Sequence, residues 1–179
     1  FFFKQKTAYE ISTRDCSDVC SSDLLRPDTI LVSVMAANNE TGARQPISEI
    51  TETLASHEAF FHTDAAQSFG KDLAVLRNPR IDLLSVSAHK LYGPKGIGAL
   101  ITRRRGYAKP PLAPLMHGGG QERGLRPGTL PVALIASLGK ASEIAVKTQE
   151  SRRARCRAIK AKAIEAFMPL DPRIHGPAR

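Results

Sequence analysis

The segment 81–98, IDLLSVSAHKLYGPKGIG, most constrains what this chain can fold into. Its short apolar run, bounded by a proline and a Gly-Pro turn, predicts a strand buried in an α/β sheet. Ser87, His89 and Lys90 follow at its carboxyl end, the edge where open α/β sheets bind ligands. A lysine held partly out of water can act as a Schiff-base nucleophile. Lys90 is therefore a candidate functional residue, although a lysine after a strand is more often a solvated loop residue.

A carboxylate follows a second predicted strand. The segment 60–70, FFHTDAAQSFG, is a short apolar run that leads into Asp64 and Gln67. Taken alone, Asp64 is also a common helix N-cap. A cofactor that needs both a lysine amine and a carboxylate facing a pyridine nitrogen is pyridoxal 5′-phosphate (PLP). The pair of Asp64 and Lys90 therefore indicates a PLP site.

A third strand is predicted at residues 29–35, and the polar turn after it contains Asn39. An Asx turn is the simpler interpretation of that asparagine. Residues 46–57 carry an early proline and apolar residues at helical spacing, which predicts a helix between two strands. This order favours parallel pairing, so the strand ends should meet at one edge.

Four strings occur in order: MAANNETG, HTDAAQSFGK, SVSAHKLYGPKGIGAL and HGGGQERGLRPGTLPV. Together they resemble the cysteine desulfurases of the class V aminotransferase group, which are fold-type I PLP enzymes. The resemblance implies an α/β fold: part of a large PLP-binding domain with a mainly parallel sheet and flanking helices. It also implies conversion of L-cysteine to L-alanine and an enzyme-bound persulfide, which then goes to a sulfur-acceptor protein.

The resemblance assigns roles to particular residues. The implied PLP-binding residues are Asn39, Asp64, Gln67, Ser87, His89, Lys90 and Thr129. Lys90 and His89 are the expected catalytic residues, and no metal site is expected. All except Thr129 should converge on one pocket. Thr129 should reach the PLP phosphate of a partner subunit, which implies a homodimer with shared active sites.

The chain divides into three expected regions. Residues 1–24 resemble a translated sequencing adapter and are treated as non-native, so Cys16 and Cys20 are not interpreted as a disulfide or metal pair. Residues 25–150 are expected to be the centre of the PLP-binding domain, and residues 151–179 a basic helical segment opening a truncated C-terminal region. The remaining Cys156 is expected to be a buried or idle thiol rather than the persulfide carrier.

Charge and composition leave alternatives open. The formal net charge is +9, and three consecutive arginines occupy residues 103–105. A basic, non-catalytic nucleic-acid-binding fragment is therefore one alternative, although no aromatic platform accompanies the arginines. Another class V aminotransferase or a selenocysteine lyase is a second. No membrane span is expected, and a single cysteine outside residues 1–24 suits the reducing cytoplasm.

The destination of the sulfur is a separate question. Iron–sulfur clusters, tRNA thiolation and DNA phosphorothioation are the candidates. The tract from residue 101 to residue 132 resembles desulfurases that serve DNA phosphorothioation. The isolated chain is expected to be inactive, because the family's catalytic-cysteine loop is not found in it.

Overall fold

A computed structural model of the chain describes residues 25–173, and the backbone alone of residues 9–10. The strands are β1 (Tyr9–Glu10), β2 (Leu31–Met35), β3 (Phe60–Asp64), β4 (Leu83–Ser87) and β5 (Gly98–Thr102). The α-helices are α1 (Ile47–Thr53), α2 (Leu73–Leu76), α3 (Val132–Lys147) and α4 (Gln149–Phe167). Within residues 25–173, short 3₁₀ helices lie at Ala88–Leu91, Gln121–Gly124 and Met168–Leu170.

The five strands form one sheet in the order β1-β2-β3-β4-β5. Neighbouring strands from β1 to β4 pair in parallel, and β5 pairs with β4 in the antiparallel sense. The predicted α/β fold with a mainly parallel sheet is confirmed. Because β5 is antiparallel, it leads the chain away from the carboxyl ends of the other strands, as the sequence predicted.

The hydrophobic core lies on one face of the sheet. Successive side chains of a strand point to opposite faces, so one alternating set from β2, β3 and β4 faces α1 and α2. Phe61 is fully buried in this core, and Ile47 and Leu54 from the α1 region pack there with almost no exposure. Phe61 and Ile47 thus attach the helical layer to the sheet and fix the strands whose ends carry the polar residues.

The long helix predicted over residues 132–167 is interrupted. Thr148 has φ −103° and ψ 4°, and it separates α3 from α4. Its hydroxyl donates to the carbonyl of Ile144 at 2.8 Å, so the end of α3 is capped by its own side chain. The apolar residues predicted to pack α3 on the domain are divided: Leu134 and Leu138 are half-buried, whereas Ala133, Ile135 and Ile144 are exposed, and Ala145 is the buried residue of that helix.

Residues 1–24, for which a foreign origin is proposed, lie outside the described residues apart from Tyr9–Glu10. The backbone of that pair continues the sheet beside β2, with Tyr9 opposite Val32. The three-region division of the chain stays a prediction. Over the part of the chain that the structure describes, no helix is both long and apolar enough to cross a membrane.

Candidate active site

The carboxyl ends of β2, β3 and β4 lie side by side. Met35 is opposite Asp64 in the register, and Asp64 is opposite Ser85. Hydrogen bonds continue past the strand ends, since the Ala36 amide donates to the Asp64 carbonyl at 2.9 Å. The loops that follow these three strands therefore start at one edge of the sheet, as predicted.

Asp64 and Gln67 occupy the end of β3 and the turn after it. Asp64 is exposed, and its Oδ1 accepts a hydrogen bond from the Ala66 amide at 2.8 Å. This bond fixes the carboxylate at the start of the turn. Gln67 is half-buried, and its Oε1 accepts from Lys71 Nζ at 3.3 Å. The amide nitrogen of the Gln67 side chain remains available as a donor.

The turn after β4 carries the other polar residues. Ser87 ends the strand, and its Oγ lies 2.8 Å from His89 Nδ1. Lys90 is half-buried in the 3₁₀ helix Ala88–Leu91. The two ends of this helix, Ala88 and Leu91, are buried, so the backbone that carries His89 and Lys90 is anchored in the protein.

Asn39 and Thr129 lie in exposed loops. The Asx-type bonds belong to Asn38, whose Oδ1 accepts from the Glu40 and Thr41 amides at 2.8 and 2.9 Å. Asn39 is thus left exposed and free of that local role. Thr129 is exposed in the loop before α3, after Gly128 at φ +105°.

Six of the seven predicted residues lie at the ends of β2, β3 and β4 or in the loops that follow these strands. Asn39, Asp64 and His89 are all exposed there. A cavity of about 710 Å³ lies elsewhere, beside β4 and β5, and is bordered by His62, Leu100 and other residues. None of the seven predicted residues borders that cavity. The convergence of six of them on one pocket therefore stays a prediction. If they converge, they do so at the edge of the sheet and not in this cavity.

The charges at this edge fit PLP. Within residues 25–173, neither Asp64 nor Lys90 takes part in an ion pair. An uncompensated carboxylate can hold a protonated pyridine nitrogen, and an uncompensated amine can bond the cofactor's aldehyde. Ser87 and His89 add the hydroxyl and imidazole that a phosphate group accepts hydrogen bonds from.

Two polar residues near the site were not predicted from the sequence, and His62 is the first. It lies two residues before Asp64 in β3, so the two side chains share a face of the sheet. Its Nδ1 lies 2.7 Å from Ser33 Oγ. Burial lowers the pKa of His62, against the opposing effect of the Asp64 charge, which favours the neutral ring. The period of two in strands was a signal that could have found it.

Lys71 is the second residue. Burial lowers its pKa, and the positive charges of Lys90 and Arg152 lower it further. The positive charges of Lys90 and Arg152 therefore act on the Lys71 amine. The position of Lys71 four residues after Gln67 was visible in the sequence, but the approach of Arg152 was not.

Two of the three arginines at residues 103–105 form contacts within the protein. Arg105 Nε donates to Asp82 Oδ1 at 2.7 Å, and its guanidinium lies 4.8 Å from the centre of the Phe60 ring. Arg103 donates to the carbonyl of Asn78. Arg104 is the exposed member. These contacts weaken the case for a nucleic-acid surface at this run.

The fold and the strand-end residues fit a PLP-binding α/β domain, and the family follows from comparison. The family model described as "Aminotransferase class-V" matches residues 10–171, so the chain belongs to the class V aminotransferase family. PLP is the cofactor of this family, as predicted.

Particular relatives narrow the comparison to cysteine desulfurases. A mitochondrial cysteine desulfurase of Saccharomyces cerevisiae is 48% identical over 149 residues, which are 83% of this chain and 30% of that protein. The crystal structure of DndA from Streptomyces lividans is 44% identical, with TM-score 0.77, over 81% of this chain and 41% of DndA. SspA, solved in complex with cysteine, is 50% identical with TM-score 0.60, over 68% of this chain and 35% of SspA. The chain spans about a third of the length of the curated relatives that it matches.

Proposed function

We propose that this chain is the central, cofactor-holding part of a cysteine desulfurase. The observation that carries the proposal is the set of Asp64, Ser87, His89 and Lys90 at neighbouring strand ends. The carboxylate and the amine of this set take part in none of the ion pairs found within residues 25–173. The relatives named cysteine desulfurase support the same conclusion. The reaction is the transfer of sulfur from L-cysteine to an enzyme cysteine, which leaves L-alanine and a persulfide.

Each residue has a distinct part in this proposal. PLP, when bound, supplies the electron sink that weakens bonds at the substrate's α-carbon. Lys90 would attach the cofactor and exchange protons with the substrate carbon. Asp64 would hold the proton on the ring nitrogen. Ser87 and His89 would bind the phosphate, and Asn39 and Gln67 would contact the ring hydroxyl.

The acceptor thiolate is assigned to another part of the full-length protein. Cys156 is a free thiol and is exposed on α4. The expectation of a buried thiol is therefore wrong, and that of an idle thiol stays a prediction. It lies in the basic helical segment and well ahead of the position that the family resemblance implies for the loop cysteine. We therefore propose that Cys156 takes no part in sulfur transfer.

A homodimer is proposed because Thr129 is implied to complete the partner's phosphate site. The test uses mixed dimers of Lys90→Ala and Thr129→Val subunits. In each mixed dimer, one site holds an intact Lys90 from one subunit and an intact Thr129 from the other. Recovery of activity on mixing supports shared sites, whereas two variants that stay inactive together contradict them.

DNA phosphorothioation is the proposed destination of the sulfur. The tract 101–132 resembles desulfurases of that pathway, and the chain is similar to DndA. L-cysteine as substrate is supported by SspA, which was solved with cysteine. A cytoplasmic location and an acceptor protein that takes the persulfide complete the proposal.

The decisive experiment locates the cofactor on a full-length protein that carries these residues. Borohydride reduction fixes PLP to its lysine, and peptide mass spectrometry identifies that lysine. We expect the label on Lys90, its loss in Lys90→Ala, and no change in Lys95→Ala, which removes an exposed lysine in the turn that follows. Alanine and sulfide release from cysteine then tests the reaction. A label on a different lysine would refute the assignment.

A further inference from the structure

Arg152 of α4 reaches back to the loop that follows β3. Its terminal nitrogen Nη2 donates to the Gly70 carbonyl at 3.0 Å and to the Ala145 carbonyl at 3.1 Å. Gly70 lies 82 residues earlier in the sequence, in the same loop as Gln67. The rest of α4 is almost entirely exposed, whereas Arg152 is partly buried. One side chain thus joins α3, α4 and the Gln67 loop.

The same guanidinium contacts the turn that carries Lys90. Its carbon Cζ lies 5.5 Å from the centre of the Tyr92 ring, within the range of a cation–π contact. Tyr92 ends the 3₁₀ helix Ala88–Leu91 in the left-handed conformation, φ 63° and ψ 19°. Such a backbone is unfavourable for a residue with a side chain, so it needs support from its surroundings. The contact with Arg152 supplies that support close to Lys90 in the same turn.

Helix α3 packs against both loops at points where a side chain would crowd it. A Cβ at Gly70 would lie 2.7 Å from the Ala145 Cβ, and one at Gly93 would lie 3.1 Å from the Ala141 Cβ. The first turn of α4 adds a further bond, because Gln149 Nε2 donates to the Lys71 carbonyl at 3.1 Å. The junction of α3 and α4 therefore packs against the loops that contain Gln67 and Lys90.

We propose that Arg152 is a positioning residue for the cofactor-holding loops, acting through Gly70 and Tyr92 rather than touching the cofactor. This inference rests on the proposed PLP function of Lys90. A flat face that stacks on an aromatic ring while a nitrogen at its edge donates to carbonyl groups is a property of arginine that lysine lacks. The role therefore depends on the shape of the guanidinium and not on its charge alone.

The test uses the full-length, PLP-loaded protein and measures the rate at which added PLP becomes attached to Lys90 after removal of the cofactor. Arg152→Gln and Arg152→Lys should both slow attachment by about tenfold or more, since small displacements of a reacting group cost large factors in rate. Arg153→Gln is the matched control, because Arg153 is the exposed next residue of the same helix. It should leave the rate unchanged.

Two results with the Arg152 variants would overturn the proposal: an unchanged rate in folded Arg152→Gln, whatever its melting temperature, or full rescue by Arg152→Lys. Tyr92→Leu covers the case in which Arg152→Gln fails to fold, because Tyr92 is 81% exposed. It should also slow attachment, and an unchanged rate would overturn the proposal. If the unsubstituted protein attaches no PLP at Lys90, the proposed function itself fails, which is a separate outcome.

Discussion

Ser87 Oγ lies 2.8 Å from His89 Nδ1, and this contact ties the end of β4 to the 3₁₀ helix that carries Lys90. When the hydroxyl donates to Nδ1, the neutral ring keeps its proton on Nε2. Nε2 can then donate to a phosphate oxygen. The two residues thus act as a unit in the proposed site.

Replacing Ser87 with alanine is expected to weaken PLP binding by about tenfold, because the His89 imidazole loses the hydroxyl that fixes its orientation and its tautomer for donation to the phosphate. The dissociation constant of PLP, measured by fluorescence titration, checks this. Ser85→Ala is the control, because Ser85 lies on the same strand and the same face. Equal effects of the two substitutions would contradict a specific role for Ser87.

Asp82 is 2% exposed and forms ion pairs with Arg80 and Arg105, both at 2.7 Å. Its Oδ2 also accepts from the Phe61 amide at 2.7 Å. Asp82→Asn should therefore lower the free energy of unfolding by about 3 kcal/mol, as for other buried pairs that lose one partner. Asp28→Asn, which breaks an exposed pair with Arg26, should change it by less than about 1 kcal/mol. Urea unfolding measures both.

The same carboxylate predicts a pH dependence. Burial acts to raise the pKa of Asp82, but the hydrogen bonds from Arg105 and the Phe61 amide, with the charges of Arg105 and Arg80, hold it below its ordinary value. A carboxyl group whose pKa is lowered in the folded state stabilises the protein above its unfolded-state pKa of about 4. This stabilisation is lost as the pH falls through the folded-state pKa. The difference between the unsubstituted protein and Asp82→Asn should be constant from about pH 7 to about 5 and shrink below about 4. A difference that grows in acid would contradict this assignment.

Gly70 has φ +71° and no room for a side chain against Ala145. Gly70→Ala should therefore combine a backbone cost with an overpacking cost of about 1–3 kcal/mol. Gly42→Ala isolates the backbone part, because Gly42 has φ +73° and nothing within 4 Å of the added Cβ. Thermal unfolding should show the larger loss for Gly70→Ala, and the double variant Gly70→Ala/Ala145→Gly should recover the packing part. Equal losses at the two glycines would argue against tight packing of α3.

The strand ends could be predicted because their signals are local. Apolar runs bounded by turn residues marked β2, β3 and β4, and polar residues directly after them marked the site. The interruption of the long helix at Thr148 could not be predicted from the sequence, because threonine is tolerated in helices and no Gly or Pro marks the break. The contact of Arg152 with Gly70 spans 82 residues, so it depends on how α3 packs and not on any nearby pattern.

The exposed apolar residues of α3 differ from the prediction for a related reason. The spacing of Ile135, Leu138 and Ile144 predicts a packed face, but a helix is buried only where another element covers it. Ile135 is 38% and Ile144 is 49% exposed in this chain. Sequence periodicity thus predicts which residues can be buried, and the partners that are present decide which are.

The isolated chain is expected to release no sulfide and form no alanine from cysteine, even with added PLP. Its site is open, since Asp64 and His89 are exposed, and β5 presents mostly exposed residues. Uncovered strands and apolar helix faces favour association over a stable site. The measurement is alanine and sulfide release by the purified chain, beside the full-length protein at equal concentration. Robust turnover by the chain alone would refute the prediction. Cys156→Ser would then show whether that exposed thiol accepts the sulfur, because loss of turnover in this variant would identify Cys156 as the persulfide carrier.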